Sequence, residues 1–264
     1  MNYWLIPTLV LGFALYWLGG VMGRRSGGAG FYAVLGLGLL AAIPGMVFVA
    51  YYFKIWTEPI WLYEFRSVPG SELTAAGAGF LAGLLHGRFS QWERFRKAAG
   101  NRLFAIVLLA GLTGPYLKTL LAPPAWYLFQ DRWDGEVCLQ SSKSSCGPAC
   151  AATLLRQLGR PAQERQIAQE AHTSGQGTEI WYLARTLRRH GAQVEFVWQP
   201  DPGRPWPYPS IAGVRLGHTG HFITLLGREG DQYIIGDPLG GRHVESQAAW
   251  SRAYQFTGFF LVVR

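Results

Sequence analysis

Two stretches of this chain carry no charged residue: Leu5 to Val21 and Phe31 to Phe53. A third, Leu103 to Leu121, has only Lys118, near one end. Each is about as long as a helix needs to be to cross roughly 30 Å of hydrocarbon. Lipid offers no partner to a backbone N–H or C=O, so a chain with such stretches is restricted there to helices. Trp4, Tyr51, Tyr52, Trp56, Trp126 and Tyr127 lie at or near their ends, where interfacial aromatics belong. A fourth candidate, Leu73 to Gly87, is short and rich in small residues, among them Ala75, Gly77, Gly79 and Gly83. A soluble helix is the alternative reading. Small residues also let helices approach closely in lipid, which suits a packed span.

Charge separates the two readings. Arg24 and Arg25 follow the first span, and Arg88, Arg94, Arg96, Lys97 and Arg102 precede the last. Positive loops stay cytoplasmic. Four spans put both basic loops inside and both termini outside, whereas three would put the loops on opposite sides. Met1 to Trp4 has no basic segment ahead of the apolar run, so the start reads as an uncleaved anchor rather than a signal peptide. The expected location is a bacterial inner membrane, crossed several times, with the following domain on the extracytoplasmic side.

Composition changes along the 264 residues. Residues 1–122 are rich in Gly, Ala, Leu and aromatics, and residues 130–264 carry the mixed charge of a soluble domain. The division falls near Pro123-Pro124, where proline cannot continue a helix. The expectation is a transmembrane helical domain over 1–124 and a second domain over 125–264. The net charge of +8 is spread over scattered arginines with no nucleic-acid-binding motif, so membrane topology accounts for it better than nucleic acid does.

The second half reads as α+β. Cys146 to Leu158 is a helix candidate, with Pro148 in its first turn and Gly159 at its end. Thr178 to His190 repeats apolar residues at helical spacing and is followed by Gly191. Gln193 to Trp198 alternates as a strand. A proline-rich loop, 199–209, leads to strand candidates Ile211–Leu216, His221–Leu226, Gln232–Ile235 and Gly258–Val263. A short helix around Gln247–Tyr254 precedes the last.

Four residues then stand in a meaningful order. Gln140 precedes Cys146 by six residues, His221 follows Cys146 by 75, and Asp237 follows His221 by 16. A cysteine opening a helix has its thiolate favoured by the helix dipole and free N–H groups. A nearby imidazole completes the activation, and a carboxylate orients the imidazole. The Gln140 amide and the Cys146 N–H are candidate donors to a tetrahedral oxyanion. This is the set of parts a papain-like cysteine peptidase needs. His218 competes with His221, but only His221 opens the apolar strand. Asp237-Pro238 read alone is a turn. Cys150, one turn beyond Cys146, reads as core, and Cys138 is left open to pairing with it. A zinc site from Cys138, Cys146, Cys150 and a histidine matches no standard spacing. No cofactor or metal is expected.

Gln140-x5-Cys146-Gly147-Pro148-Ala149-Cys150, His221-Phe222-Ile223-Thr224-Leu225 and Gly236-Asp237-Pro238 together resemble the bacteriocin-processing cysteine peptidase family. The resemblance covers roughly residues 136–264. It implies a papain-like fold, cleavage of leader peptides after a double glycine, and no cofactor. By the same resemblance Cys146 is the nucleophile, His221 the base, Asp237 the orienter and Gln140 the oxyanion donor. Members fused to exporters carry a six-span transporter and an ATPase after the peptidase. Here the spans come first, and no GxxxxGK[ST] phosphate loop occurs, so no ATP binding is expected and an exporter would be a separate partner.

The reading is thus a membrane-anchored cysteine endopeptidase acting on a peptide or protein precursor with small residues before the scissile bond. The alternatives are a non-catalytic leader-binding module, against which Cys146 argues, and a papain-like acyl transferase or amidase acting on an envelope substrate.

Overall fold

The computed structural model describes residues 3–52, 58–90, 118–201 and 203–264. The chain divides into two compact units: Met1–Glu58 with Pro69–Lys118, and Pro59–Val68 with Thr119–Arg264.

The first unit contains α1 (Leu5–Arg25) and α2 (Gly28–Tyr52). Among the described residues these are the two helices long and apolar enough to cross a membrane. The expected fourth span is also helical, but shorter: a 3₁₀ segment, Ser71–Ala76, runs into a 13-residue α-helix, Gly77–Phe89. The expected span Leu103–Leu121 lies mostly outside the described residues.

Glycines set how this last helix packs. Gly79 lies against Gly12, Gly83 against Tyr16 and Gly87 against Gly20, so it runs parallel to α1. A Cβ on Gly83 would sit 1.9 Å from the Tyr16 carbonyl oxygen, a distance only glycine permits. Against α2 the order reverses. Gly77 meets Ala41 and Gly45 meets Ala75, so those two run antiparallel. The small residues are therefore the contact itself. His86 and the Tyr16 hydroxyl hydrogen-bond each other in this helix pair.

The second unit is α+β, as expected. Its six-stranded antiparallel sheet has the order β3-β8-β4-β5-β6-β7. The strands are β3 (Val194–Trp198), β4 (Ser210–Leu216), β5 (Thr219–Glu229), β6 (Gln232–Asp237), β7 (Gly241–Ser246) and β8 (Gln255–Val263). A short hairpin, β1 (Arg132–Asp134) and β2 (Val137–Leu139), precedes the sheet in sequence. Trp206, Ile223, Tyr233, Ile235, Trp250 and Phe260 belong to a core cluster built on it.

Cys146–Gln157 and Ile180–Arg189 form helices close to the expected bounds. Both end at a glycine in the left-handed region, Gly159 (φ 69°) and Gly191 (φ 82°). Beyond each glycine the chain turns back, with Arg160 N–H bonding Leu155 O and Ala192 N–H bonding Leu187 O. A short helix at Glu164–Glu170, the hairpin and strand β7 had no clear sequence signal. In β7, Arg242, His243 and Glu245 break the apolar alternation because it is an outer strand.

One more element belongs to this unit. The segment between α2 and the glycine-rich helix forms α3 (Ile60–Ser67), which packs on the helix Ile180–Arg189 and on β3. The Arg185 guanidinium donates to the carbonyls of Arg66, Ser67 and Val68, closing the end of α3. Tyr63 packs against Trp181, Phe196 and Phe259. Strand β3 is a sheet edge, and its inward partner at residue 193 is Arg264, so residues 194 and 196 direct their backbone groups outward. Glu64 accepts from the Phe196 N–H, and Arg188 donates to Val194 O. Arg188 and Glu64 also pair at 3.0 Å, with side chains 35% and 40% exposed. A pair so exposed contributes about 0–1 kcal/mol by itself. Its larger role is to satisfy an open strand edge that would otherwise be a template for another chain.

Candidate active site

The nucleophile candidate sits where the sequence places it. Cys146 is the first residue of the helix Cys146–Gln157 and is partly exposed. The turn before it is tied down by its own hydroxyls: Ser145 Oγ accepts from Ser142 N–H, and Ser144 N–H donates to Ser142 Oγ. The helix can start close against the sheet because of Gly147. A Cβ there would lie 2.7 Å from a Leu183 methyl and 3.4 Å from the Phe222 ring.

His221 lies on β5 and Asp237 closes β6. The ladder pairs Thr224 with Gly236, so Asp237, one step on, emerges on the face that carries Ile223 and His221. His221 Nε2 and Asp237 Oδ1 meet at 2.9 Å, with both side chains only 6% exposed. Nδ1 is then the ring nitrogen left for the Cys146 thiol. Burial pushes the His221 pKa down, but the bonds to Asp237 and Cys146 outweigh it and bring it up to about 9. Burial likewise raises the Asp237 carboxyl, and the bonds from His221, Tyr254 and the Leu239 N–H more than reverse this. An imidazolium and a carboxylate therefore face each other in a dry site. His218, the rival, lies in the exposed turn between β4 and β5.

Gln140 follows β2 and is tied by its N–H to Pro238 O at 2.9 Å, in the turn that carries Asp237. Its side-chain amide donates to Ser142 O at 2.8 Å. A primary amide has two N–H groups, so one remains to donate. Its Oε1 is buried without a hydrogen-bond partner.

Asp237 also makes the turn that a bland reading of Asp-Pro expects, since Oδ1 accepts from the Leu239 N–H at 2.9 Å. Cys150 is buried, and its thiol donates to Phe222 O. Cys138 is buried too, and both are free thiols. Burial pushes each thiol's pKa upward, which disfavours a reactive thiolate at either position. No group of metal-ligating side chains occurs among the described residues.

Two contributors carried no signal in the sequence. The Tyr254 hydroxyl donates to Asp237 Oδ2. Glu164, fully buried, accepts from the Ser141 N–H at 2.9 Å and from the Ser141 hydroxyl. It thereby fastens the loop between Gln140 and Cys146 from behind. Glu164 lies 18 residues beyond Cys146 and Tyr254 17 beyond Asp237, and no local pattern links either to the residues it supports.

Comparison with known proteins gives this arrangement a context. The Peptidase C39 family profile matches residues 134–264. An uncharacterized protein of Methanothermobacter thermautotrophicus is 31% identical over 135 residues, 49% of this chain and 89% of its own length. One from Methanothermobacter marburgensis is 33% identical over 130 residues, with the same coverage. Among solved structures, the peptidase domain of Streptococcus ComA, a bi-functional ABC transporter involved in quorum sensing, aligns with TM-score 0.42 and 21% identity over 47% of this chain and 94% of that one. A double glycine motif protease from an AMS/PCAT transporter, in complex with its leader peptide, aligns with TM-score 0.43 and 21% identity over 51% and 93%. Through residues 134–264 the chain belongs to the Peptidase C39 family and is a cysteine peptidase.

Proposed function

We propose that this chain is a membrane-anchored endopeptidase that cleaves a peptide or protein precursor after small residues, a double glycine being the favoured pair. The observation that carries the chemistry is the buried His221–Asp237 pair beside Cys146 at a helix start. Family membership supports the double-glycine substrate.

Each residue then has a role. The Cys146 thiolate attacks the carbonyl carbon of the scissile bond, and the oxyanion is held by the Cys146 N–H and the spare N–H of Gln140. The His221 imidazolium gives its proton to the departing amine, leaving a thioester on Cys146. Neutral His221 next takes a proton from water, whose oxygen bonds the acyl carbon; the C–S bond breaks, the acyl peptide leaves as a carboxylic acid, and the Cys146 thiolate and His221 imidazolium are restored. Asp237 holds the ring and stabilises its charged form. No step calls for a metal or cofactor.

The membrane side of the proposal is four spans, with the peptidase domain, taken as residues 125–264, outside the cytoplasm. The parallel packing of the glycine-rich helix with α1, and its antiparallel packing with α2, supports it as a third crossing. With its 3₁₀ lead-in of six residues, that 13-residue helix rises about 30 Å, close to the thickness of a bilayer core. The docking of α3 in the same unit as residues 119–264 gives a parity argument. Both must lie on one side of the membrane, so an even number of crossings separates Val68 from the residues that follow Leu121. The glycine-rich helix and residues 103–121 would supply two. A separate exporter remains the proposed partner.

The substrate test is cleavage of a precursor peptide by the full chain in detergent. A Gly-Gly peptide should be cut after the second glycine, and a Leu-Leu analogue at least about 100-fold more slowly. Cys146→Ala and His221→Ala should be inactive, Asp237→Asn intermediate, His218→Ala near wild type, and Gln140→Ala slower by about 10²-fold. Full cleavage by Cys146→Ala would overturn the mechanism.

The raised His221 pKa has a direction in pH. The reacting imidazolium persists through neutrality, so kcat/KM should fall as pH rises through about 9. Asp237→Asn removes the charge that raises it, so the alkaline limb should move to lower pH. A limb unmoved in Asp237→Asn would contradict the pairing.

Topology can be read with single cysteines placed in a chain whose own cysteines are replaced. Positions 64 and 264 should react with an impermeant maleimide from the same side, and position 94 only from the other. Opposite-side labelling of 64 and 264 would end the four-span proposal.

A further inference from the structure

Both oxygens of the Asp237 carboxylate are occupied. Oδ1 accepts from the His221 ring and from the Leu239 N–H, each at 2.9 Å, and Oδ2 accepts from the Tyr254 hydroxyl. The Leu239 bond ties Oδ1 to the chain's own turn. Among the described residues, only Tyr254 holds the other end of the carboxylate.

That hydroxyl arrives from a fixed place. Tyr254 follows the short helix Gln247–Ala253, which is N-capped by the Ser246 hydroxyl accepting from the Ala249 N–H. The Tyr254 N–H closes the other end by donating to Trp250 O at 2.8 Å. Its ring packs on the Trp250 indole, centroids 5.5 Å apart, and Trp250 is itself part of the sheet's core cluster. The phenol is thus aimed by packed residues rather than by a free loop.

An aspartate needs such a holder. The torsion that turns its carboxylate is broad and two-fold, with no sharp well of its own. A rotation of a few tens of degrees would carry Oδ1 out of line with the His221 N–H. We propose that Tyr254 is a positioning residue of this active site, fixing the plane of the Asp237 carboxylate and through it the ring of His221. The inference rests on the triad reading above and adds a fourth member to it. Burial and the Asp237 bond raise the phenol's pKa, so the hydroxyl keeps its proton and stays a donor across the working range.

The test uses the full chain and a Gly-Gly reporter peptide. Tyr254→Phe keeps the ring and its packing on Trp250 and removes only the donor. It should lower kcat by about tenfold, the scale of one hydrogen bond to a charged group, with KM unchanged. In an Asp237→Ala background, where no carboxylate remains to be held, adding Tyr254→Phe should change kcat by less than about twofold. Unchanged kcat in Tyr254→Phe alone would overturn the proposal. So would a tenfold loss that persists without Asp237, which would mark a structural role. If Asp237→Ala itself were fully active, the orienter role would fall and the proposal with it. Failure of the wider peptidase reading is separately visible, as cleavage by Cys146→Ala.

Discussion

The imidazole of His221 and the carboxylate of Asp237 meet at 2.9 Å in a place that water barely reaches. Two polar side chains are costly to bury unless each satisfies the other. Here each does, and the surroundings complete the pairing. The Asp237 carboxylate takes three donors, and the His221 ring keeps one nitrogen for Cys146. The charged form of the ring is favoured at neutral pH because hydrogen bonding outweighs desolvation. The strand register brings these residues together, and the helix start sets the thiol against them.

Other parts of the domain hold that meeting in place. The Gln140 N–H is bonded to Pro238 O, so the loop ahead of Cys146 and the turn carrying Asp237 are one piece. Glu164 grips Ser141 from within the fold. Gly147 lets the helix come near Leu183 and Phe222. On the far edge of the sheet, α3 covers β3 through Glu64 and Arg188. That edge contact joins a segment from between the apolar helices to the peptidase domain, a link no reading of residues 125–264 alone would include.

The residues that meet at the candidate site were legible in the sequence, since each stood in a local context of its own. Cys146 preceded a proline in a first helical turn, His221 opened an apolar strand, and Asp237 ended one. The main helices were legible from apolar spacing and from the glycines that stop them. Tyr254, Glu164 and α3 were not. Tyr254 and Glu164 act through contacts across the fold, and neither lies in a motif. The segment 60–67 mixes aromatic and charged residues, so it showed neither an apolar span nor a clean amphipathic stripe. Its helix is settled by tertiary partners, Arg185 above all, which takes the three carbonyls at its end. Strand β7 went unseen because an outer strand need not alternate, and its pairing with β6 decides its conformation.

The proposed chemistry has Cys146 react because His221 charges beside it. Mapping the adduct that a Gly-Gly chloromethyl ketone leaves on the full chain puts this to the test. A single adduct is expected, on Cys146, with Cys138 and Cys150 unmodified behind their burial. His221→Ala should slow that labelling by about 100-fold or more. An adduct on Cys138 or Cys150, or labelling of Cys146 at the same rate without His221, would contradict it.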